Sequence, residues 1–128
     1  MGTRGQPIWL GPFPEGSSTL LDTAIVESVQ NYLRRLQENG LPVIFAVVFG
    51  SYATGTPTEW SDIDLLVVSS KFDESITREN VNHLWRVAAR IDPQIEPVPC
   101  GERQWQEDTT RAIVEIARRE GQRVATAA

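Results

Sequence analysis

Lysine is almost absent from this sequence: of 12 cationic side chains only Lys71 is a lysine, and 17 carboxylates outnumber the cations. The net charge of −5 excludes a general nucleic-acid binder, because an acidic surface repels a phosphate backbone. An acidic protein that handles a polyanionic nucleotide needs a bridge, and a divalent metal is the evident one. Cys100 is the sole cysteine, so no disulfide can form within the chain, and a reducing cytoplasm is the expected setting. His83 is the sole histidine; its place on the flank of a helix marks a surface or half-buried residue rather than a catalytic one. No apolar run approaches the ~20 residues that cross a bilayer, and the opening Met1-Gly-Thr-Arg-Gly-Gln lacks the apolar core of a secretory signal. Internal repeats and low-complexity segments are missing too.

What is present is ordinary for one globular domain: 128 residues, 41% hydrophobic and 23% charged. Residues 1–16 hold four glycines and three prolines with no periodicity, and read as a loose arm pinned by Trp9, Leu10 and Phe13. The domain is expected over 17–125. Ser17 or Ser18 can cap a first helix, whose stripe is Leu21, Ile25, Val29, Leu33 and Leu36, and which Gly40 and Pro42 stop. Val43 to Phe49 is apolar on both faces, as in a strand covered by helices on both sides. A loop through Gly55 and Pro57 leads to Ser61, and Asp62 to Val68 is a second strand. Val81, Leu84, Trp85 and Ala88 mark a second helix, ended before Pro93. Gln94 to Val98 is a short strand between prolines. One last helix buries Trp105, Thr109, Ala112, Ile113 and Ile116 and is capped by Gly121. The order α-β-turn-β-α-β-α predicts a two-layer α/β or α+β domain.

Chemistry concentrates between Val47 and Val68. The first strand ends in Gly50-Ser51 and enters Tyr52-Ala53-Thr54, which can form a short helical turn. Glycine permits a sharp turn and close ligand approach, the leading N–H groups favour a phosphate, and Ser51 adds a hydroxyl. Asp62 and Asp64 project from one face of a strand, ~7 Å apart along the chain, and repel each other unless a cation lies between them. Hard oxygen ligands of this kind suit Mg²⁺ or Mn²⁺, and two ions ~3.5–4 Å apart could be clamped there. On the next strand Glu96, whose neighbour Ile95 points the other way, can join the same cluster. Either half alone has a plainer reading, a simple turn or a wet strand edge. Together, two charges leading into Leu-Leu-Val-Val call for a partner. Trp60 is read as cover for the core rather than a base-stacking residue, Cys100 as inert, and Arg118-Arg119 as cations suiting a helix end.

Gly-Ser, ten residues, then Asp-x-Asp and an apolar strand resembles the DNA polymerase β-like nucleotidyltransferase superfamily. The likeness is nearest to its minimal stand-alone branch, where G-S-x-A-x-G-x-x-x-x-x-S-D-I-D-L recurs, and it is strongest over residues 43–70. The resemblance implies a nucleotidyltransferase fold, a small mixed β-sheet with helices packed mainly on one face. It implies Asp62, Asp64 and Glu96 as catalytic metal ligands for two Mg²⁺ ions, with Gly50 and Ser51 on the β- and γ-phosphates and Ser61 a further nucleotide-binding candidate. It also implies an NTP donor, ATP by analogy, and a helical HEPN-type partner in a toxin–antitoxin pair, in which the nucleotidyltransferase restrains the toxin by AMPylating or binding it. Two positions depart from the pattern: Glu96 stands where many relatives have Asp, and Thr54 where many have Arg. A non-catalytic nucleotide- or partner-binding module, and a small-molecule (antibiotic) nucleotidyltransferase, remain open on the sequence.

Overall fold

The computed structural model describes residues 21–55, 57, 61–108 and 110–126. Helix α1 spans Thr23–Glu38 and is capped by Asp22, whose carboxylate accepts the Ala24 N–H at 3.0 Å. The helix therefore starts later than the serine pair suggested. Asp22 is an equally good acceptor and lies directly before the turn; Ser17 and Ser18 lie outside the described residues, as does the expected arm with Trp9, Leu10 and Phe13.

Strand β1 (Phe45–Phe49) leads into a one-turn helix α2 (Ser51–Thr54), and β2 covers Ile63–Val68. A 3-10 turn at Ser70–Asp73 precedes α3 (Arg78–Ile91), which opens on a capping box formed by Thr77 and Asn80. Strand β3 (Ile95–Cys100) runs two residues beyond the expected end. The expected single last helix is two, α4 (Glu102–Glu107) and α5 (Ala112–Glu120), followed by an unforeseen strand β4 (Gln122–Ala125).

The sheet is mixed, in the order β3-β2-β1-β4: β2 and β3 are parallel, the other pairings antiparallel. Strand residues alternate between two cores with the period of a pleat. Ala46, Val48, Ile63, Leu65, Val67, Ile95 and Val124 face the long helices α1 and α3 through Val29, Leu33, Leu36, Leu84 and Val87. Val47, Phe49, Leu66, Val68 and Cys100 face α5 through Val114 and Ala117, with Trp105 of α4 at the margin. The long helices thus lie on one face as expected, while the short pair closes the other; this double cover is why β1 is apolar throughout. Tyr32, fully buried, gives its hydroxyl to the Leu84 carbonyl at 2.9 Å and ties α1 to α3, and burial raises its pKa.

The split after α4 has a local cause. The Asp108 carboxylate accepts the Thr110 N–H and hydroxyl, both at 2.7 Å, in a side-chain turn that competes with helix. Arg118 then caps the broken end, donating to the carbonyls of Gln104, Trp105 and Asp108 at 2.9, 2.6 and 2.5 Å. Its role is to staple α4 to α5, which is more specific than complementing a helix dipole. Gly121 does end α5, for a further reason. A Cβ there would meet Val47 Cγ1 at 2.4 Å and the Ala117 carbonyl at 2.5 Å, so only glycine lets β4 turn in beside β1. Among the described residues no helix is long and apolar enough to cross a membrane.

Candidate active site

Every chemistry-bearing residue of the central motif lies at one end of the sheet, where β1 finishes and β2 and β3 begin. Gly50 follows β1 with φ +75° and ψ −152°, a backbone region open essentially to glycine alone. Its carbonyl accepts the N–H groups of Ala53 and Thr54, each at 3.1 Å, which closes α2. The amides of Ser51 and Tyr52, at the front of that turn, have no carbonyl to reach within so short a helix. Gly55, at φ +80°, ends the turn in a left-handed cap.

Asp64 sits opposite Phe49 on one side and Glu96 on the other. It packs so closely on Gly50 that a Cβ on that glycine would lie 2.2 Å from Asp64 Oδ2. The glycine turn and the acidic strand are therefore in direct contact. Ile63 and Ile95, one residue earlier on each strand, point into the α1–α3 core. Pleating sends Asp64 and Glu96 to the other face, and Asp62, just before β2, completes the group.

Asp64 and Glu96 are perturbed by their surroundings. Burial raises the pKa of Asp64, and the Asp62 charge raises it further. Glu96 is raised foremost by a hydrogen bond with Asp62, then by partial burial and by the charges of Asp62 and Asp64. Among the described residues no ion pair reaches the three acids. Nor do any three His, Cys, Asp or Glu side chains there surround a common point closely enough to hold a metal as they stand. The acids are instead linked pairwise, two of them favouring the proton.

The nucleotidyltransferase domain family matches residues 29–120. The chain belongs to that family. Solved structures agree on the fold. A protein assigned as a nucleotidyltransferase from Sulfolobus solfataricus superposes with a TM-score of 0.52 at 18% identity, over 66% of this chain and 73% of that one. A toxin–antitoxin structure with AMP-PNP gives 0.54 at 20% identity, over 77% and 73%. A mutant of the toxin–antitoxin MntA-HpeT gives 0.53 at 17% identity, again over 77% and 73%. No curated protein matches the sequence significantly.

The remaining residues of this nucleotidyltransferase sort by distance from that end of the sheet. Ser61 is half-buried beside Asp62, and its carbonyl accepts from the Gln94 side chain at 3.3 Å. The Thr54 hydroxyl turns back to the carbonyls of Gly50 and Ser51, at 3.3 and 3.4 Å. His83 lies within 3.2 Å of the Asn39 amide on the outer surface of α1 and α3. Cys100 ends β3 at the far edge, buried, its thiol pushed up to about 11 and so inert as expected. Trp60 and Thr109 lie outside the described residues. One residue close to the Gly50–Thr54 turn had no sequence signal: Gln122, on the strand that was not foreseen.

Proposed function

We propose that this nucleotidyltransferase moves AMP from ATP to a hydroxyl group on a partner protein, with Asp62, Asp64 and Glu96 as the ligands of two Mg²⁺ ions. One observation carries the reading: Asp62 and Asp64 at the start of β2 lie beside Glu96 on β3, Asp64 and Glu96 have raised pKa values for it, and Asp64 presses against Gly50. A donor set made wholly of hard oxygens fits Mg²⁺ or Mn²⁺. Mg²⁺ bound there would supply charge neutralisation on the triphosphate and activation of the attacking oxygen.

The chain's own residues do the rest. Gly50, lacking a side chain, admits the β- and γ-phosphates close to the backbone, where the Ser51 and Tyr52 amides and the Ser51 hydroxyl donate to them. Ser61 flanks the same space. Asp64 is held in one orientation by Gly50 and by its place between Phe49 and Glu96. Glu96, on the longer and less buried arm, takes the proton as the acceptor oxygen attacks the α-phosphorus. The new P–O bond forms as the bond to the β-phosphate oxygen breaks, and pyrophosphate leaves.

The partner is inferred from the fold's company. Toxin–antitoxin structures stand among those it resembles, one of them with AMP-PNP. The acceptor proposed is accordingly a helical HEPN-type toxin, restrained by this chain as its antitoxin. The test is co-expression with a candidate HEPN-type helical protein, followed by that protein's intact mass after incubation with ATP and Mg²⁺. An added AMP supports the scheme. An unchanged mass in a tight complex identifies a binding module, and the absence of both complex and modification overturns the pairing.

A further inference from the structure

Apart from Tyr32 and Cys100, Gln122 and Ser69 are the polar side chains buried among the described residues, and Ser69 lies at the far end of the sheet. Gln122 is 7% exposed, sits opposite Val48 in the β1–β4 ladder, and sends its amide to the Ala53 carbonyl at 3.1 Å. That acceptor matters. Ala53 belongs to α2, where Gly50 and Ser51 already use their carbonyls to close the turn and its cap. The last carbonyls of a helix have no partner inside it, so Ala53 must look outside. Buried amides are rarely left without partners, and a glutamine facing a core strand would otherwise be a costly choice.

Two features bring the amide there. Gly121 lets the chain turn inward, since any Cβ at this corner would strike Val47 and the carbonyls of Ala117 and Val48. Antiparallel pairing then sets Gln122 level with Val48, two residues before Gly50. Arg123, on the opposite face, stacks over the Phe45 ring at 4.0 Å and takes no part in this contact. The result is a link spanning 69 residues between the C-terminal strand and the turn that follows β1.

We infer that Gln122 is a positioning residue for the nucleotide turn. By holding the Ala53 carbonyl it fixes the tilt of α2, and with it the direction of the Ser51 and Tyr52 amides, without touching a ligand itself. The inference rests on the reading of Gly50 and Ser51 as the phosphate cradle. A one-turn helix has too few internal bonds to hold its own orientation, so an external brace decides how ordered it is.

The test compares Gln122→Met, which keeps the volume and removes the donor, with Gln122→Glu, which keeps the shape but offers no N–H when ionised. Arg123→Ala is the control on the same strand. Hydrogen exchange reports the brace directly: the Ala53 and Thr54 amides should exchange about tenfold faster in both Gln122 variants, with α3 amides unchanged. Titration of AMP-PNP with Mg²⁺, run well below each variant's melting temperature, should give about tenfold weaker binding in both, while Arg123→Ala binds as wild type does. Unchanged exchange at Ala53 and Thr54, exchange that rises equally in α3, or wild-type affinity in the folded variants overturns the inference. Faster exchange in a protein whose wild type does not bind AMP-PNP at all keeps the brace and removes the phosphate reading instead.

Discussion

Gly50→Ala is the sharpest perturbation the site offers, because two independent costs meet at one atom. At φ +75° and ψ −152° an alanine is strained by about 1–3 kcal/mol whatever surrounds it. Its Cβ would also lie 2.2 Å from Asp64 Oδ2, too close to be tolerated, so the Asp64 side chain must swing away. Moving a part-buried carboxyl off its rotamer adds about 0.5–1.5 kcal/mol. The sum, about 2–4 kcal/mol, lowers the melting temperature of a domain of this size by roughly 8–15 °C. The two costs can be separated. In an Asp64→Ala background the collision has no partner, and Gly50→Ala should cost only the backbone strain. Thermal unfolding of wild type, both single variants and the double variant closes the cycle, with a coupling of about 1 kcal/mol expected. Strict additivity would refute direct contact between the turn and the acidic strand.

Asp64→Asn keeps the shape and removes the charge. Because the folded protein holds the Asp64 and Glu96 pKa values above the ordinary range, their contribution to stability is fullest below that range and is lost as pH rises through the raised values. Melting of the metal-free wild type should therefore fall between acidic and neutral pH, and Asp64→Asn should melt about 2–5 °C higher than wild type at pH 7 while losing Mg²⁺-dependent nucleotide binding. Identical pH profiles would contradict the cluster's mutual repulsion. Tyr32→Phe removes the buried bond to the Leu84 carbonyl and should cost about 1–2 kcal/mol in urea unfolding, with no effect on nucleotide affinity. Arg118→Ala uncaps α4 and should cost about 1–3 kcal/mol, with exchange at α4 amides rising before that at α1.

The central chemistry was legible because it is written locally. A doubly apolar strand, a glycine-serine break and an Asp-x-Asp spacing fall within some twenty residues, and pairing along β2 then sets Asp64 level with Glu96 as the alternation of Ile95 and Glu96 implied. What stayed hidden depends on contacts between distant segments. Asp22 caps α1 because its carboxylate lies within reach of the Ala24 N–H, a contact that helical periodicity does not register. Residues 102–120 keep helical spacing of apolar positions across the Asp108 turn, so periodicity alone runs the two helices together. Strand β4 is four residues long, too short for alternation to register, and Gln122 interrupts its apolar pattern. That a glutamine would be buried there follows only from the Ala53 carbonyl it meets, 69 positions away. The same holds for Gly50: its loop role is visible in sequence, its contact with Asp64 is not.

The central claim is that Gly50-Ser51 and the acids Asp62, Asp64 and Glu96 form one working donor site. Calorimetric titration of AMP-PNP into the protein, with and without Mg²⁺, tests it most directly, with Asp62→Asn/Asp64→Asn as the control. Binding that requires Mg²⁺ and disappears in the control is the expected result. Metal-independent binding, equal binding by the control, or no binding by the wild type would contradict it.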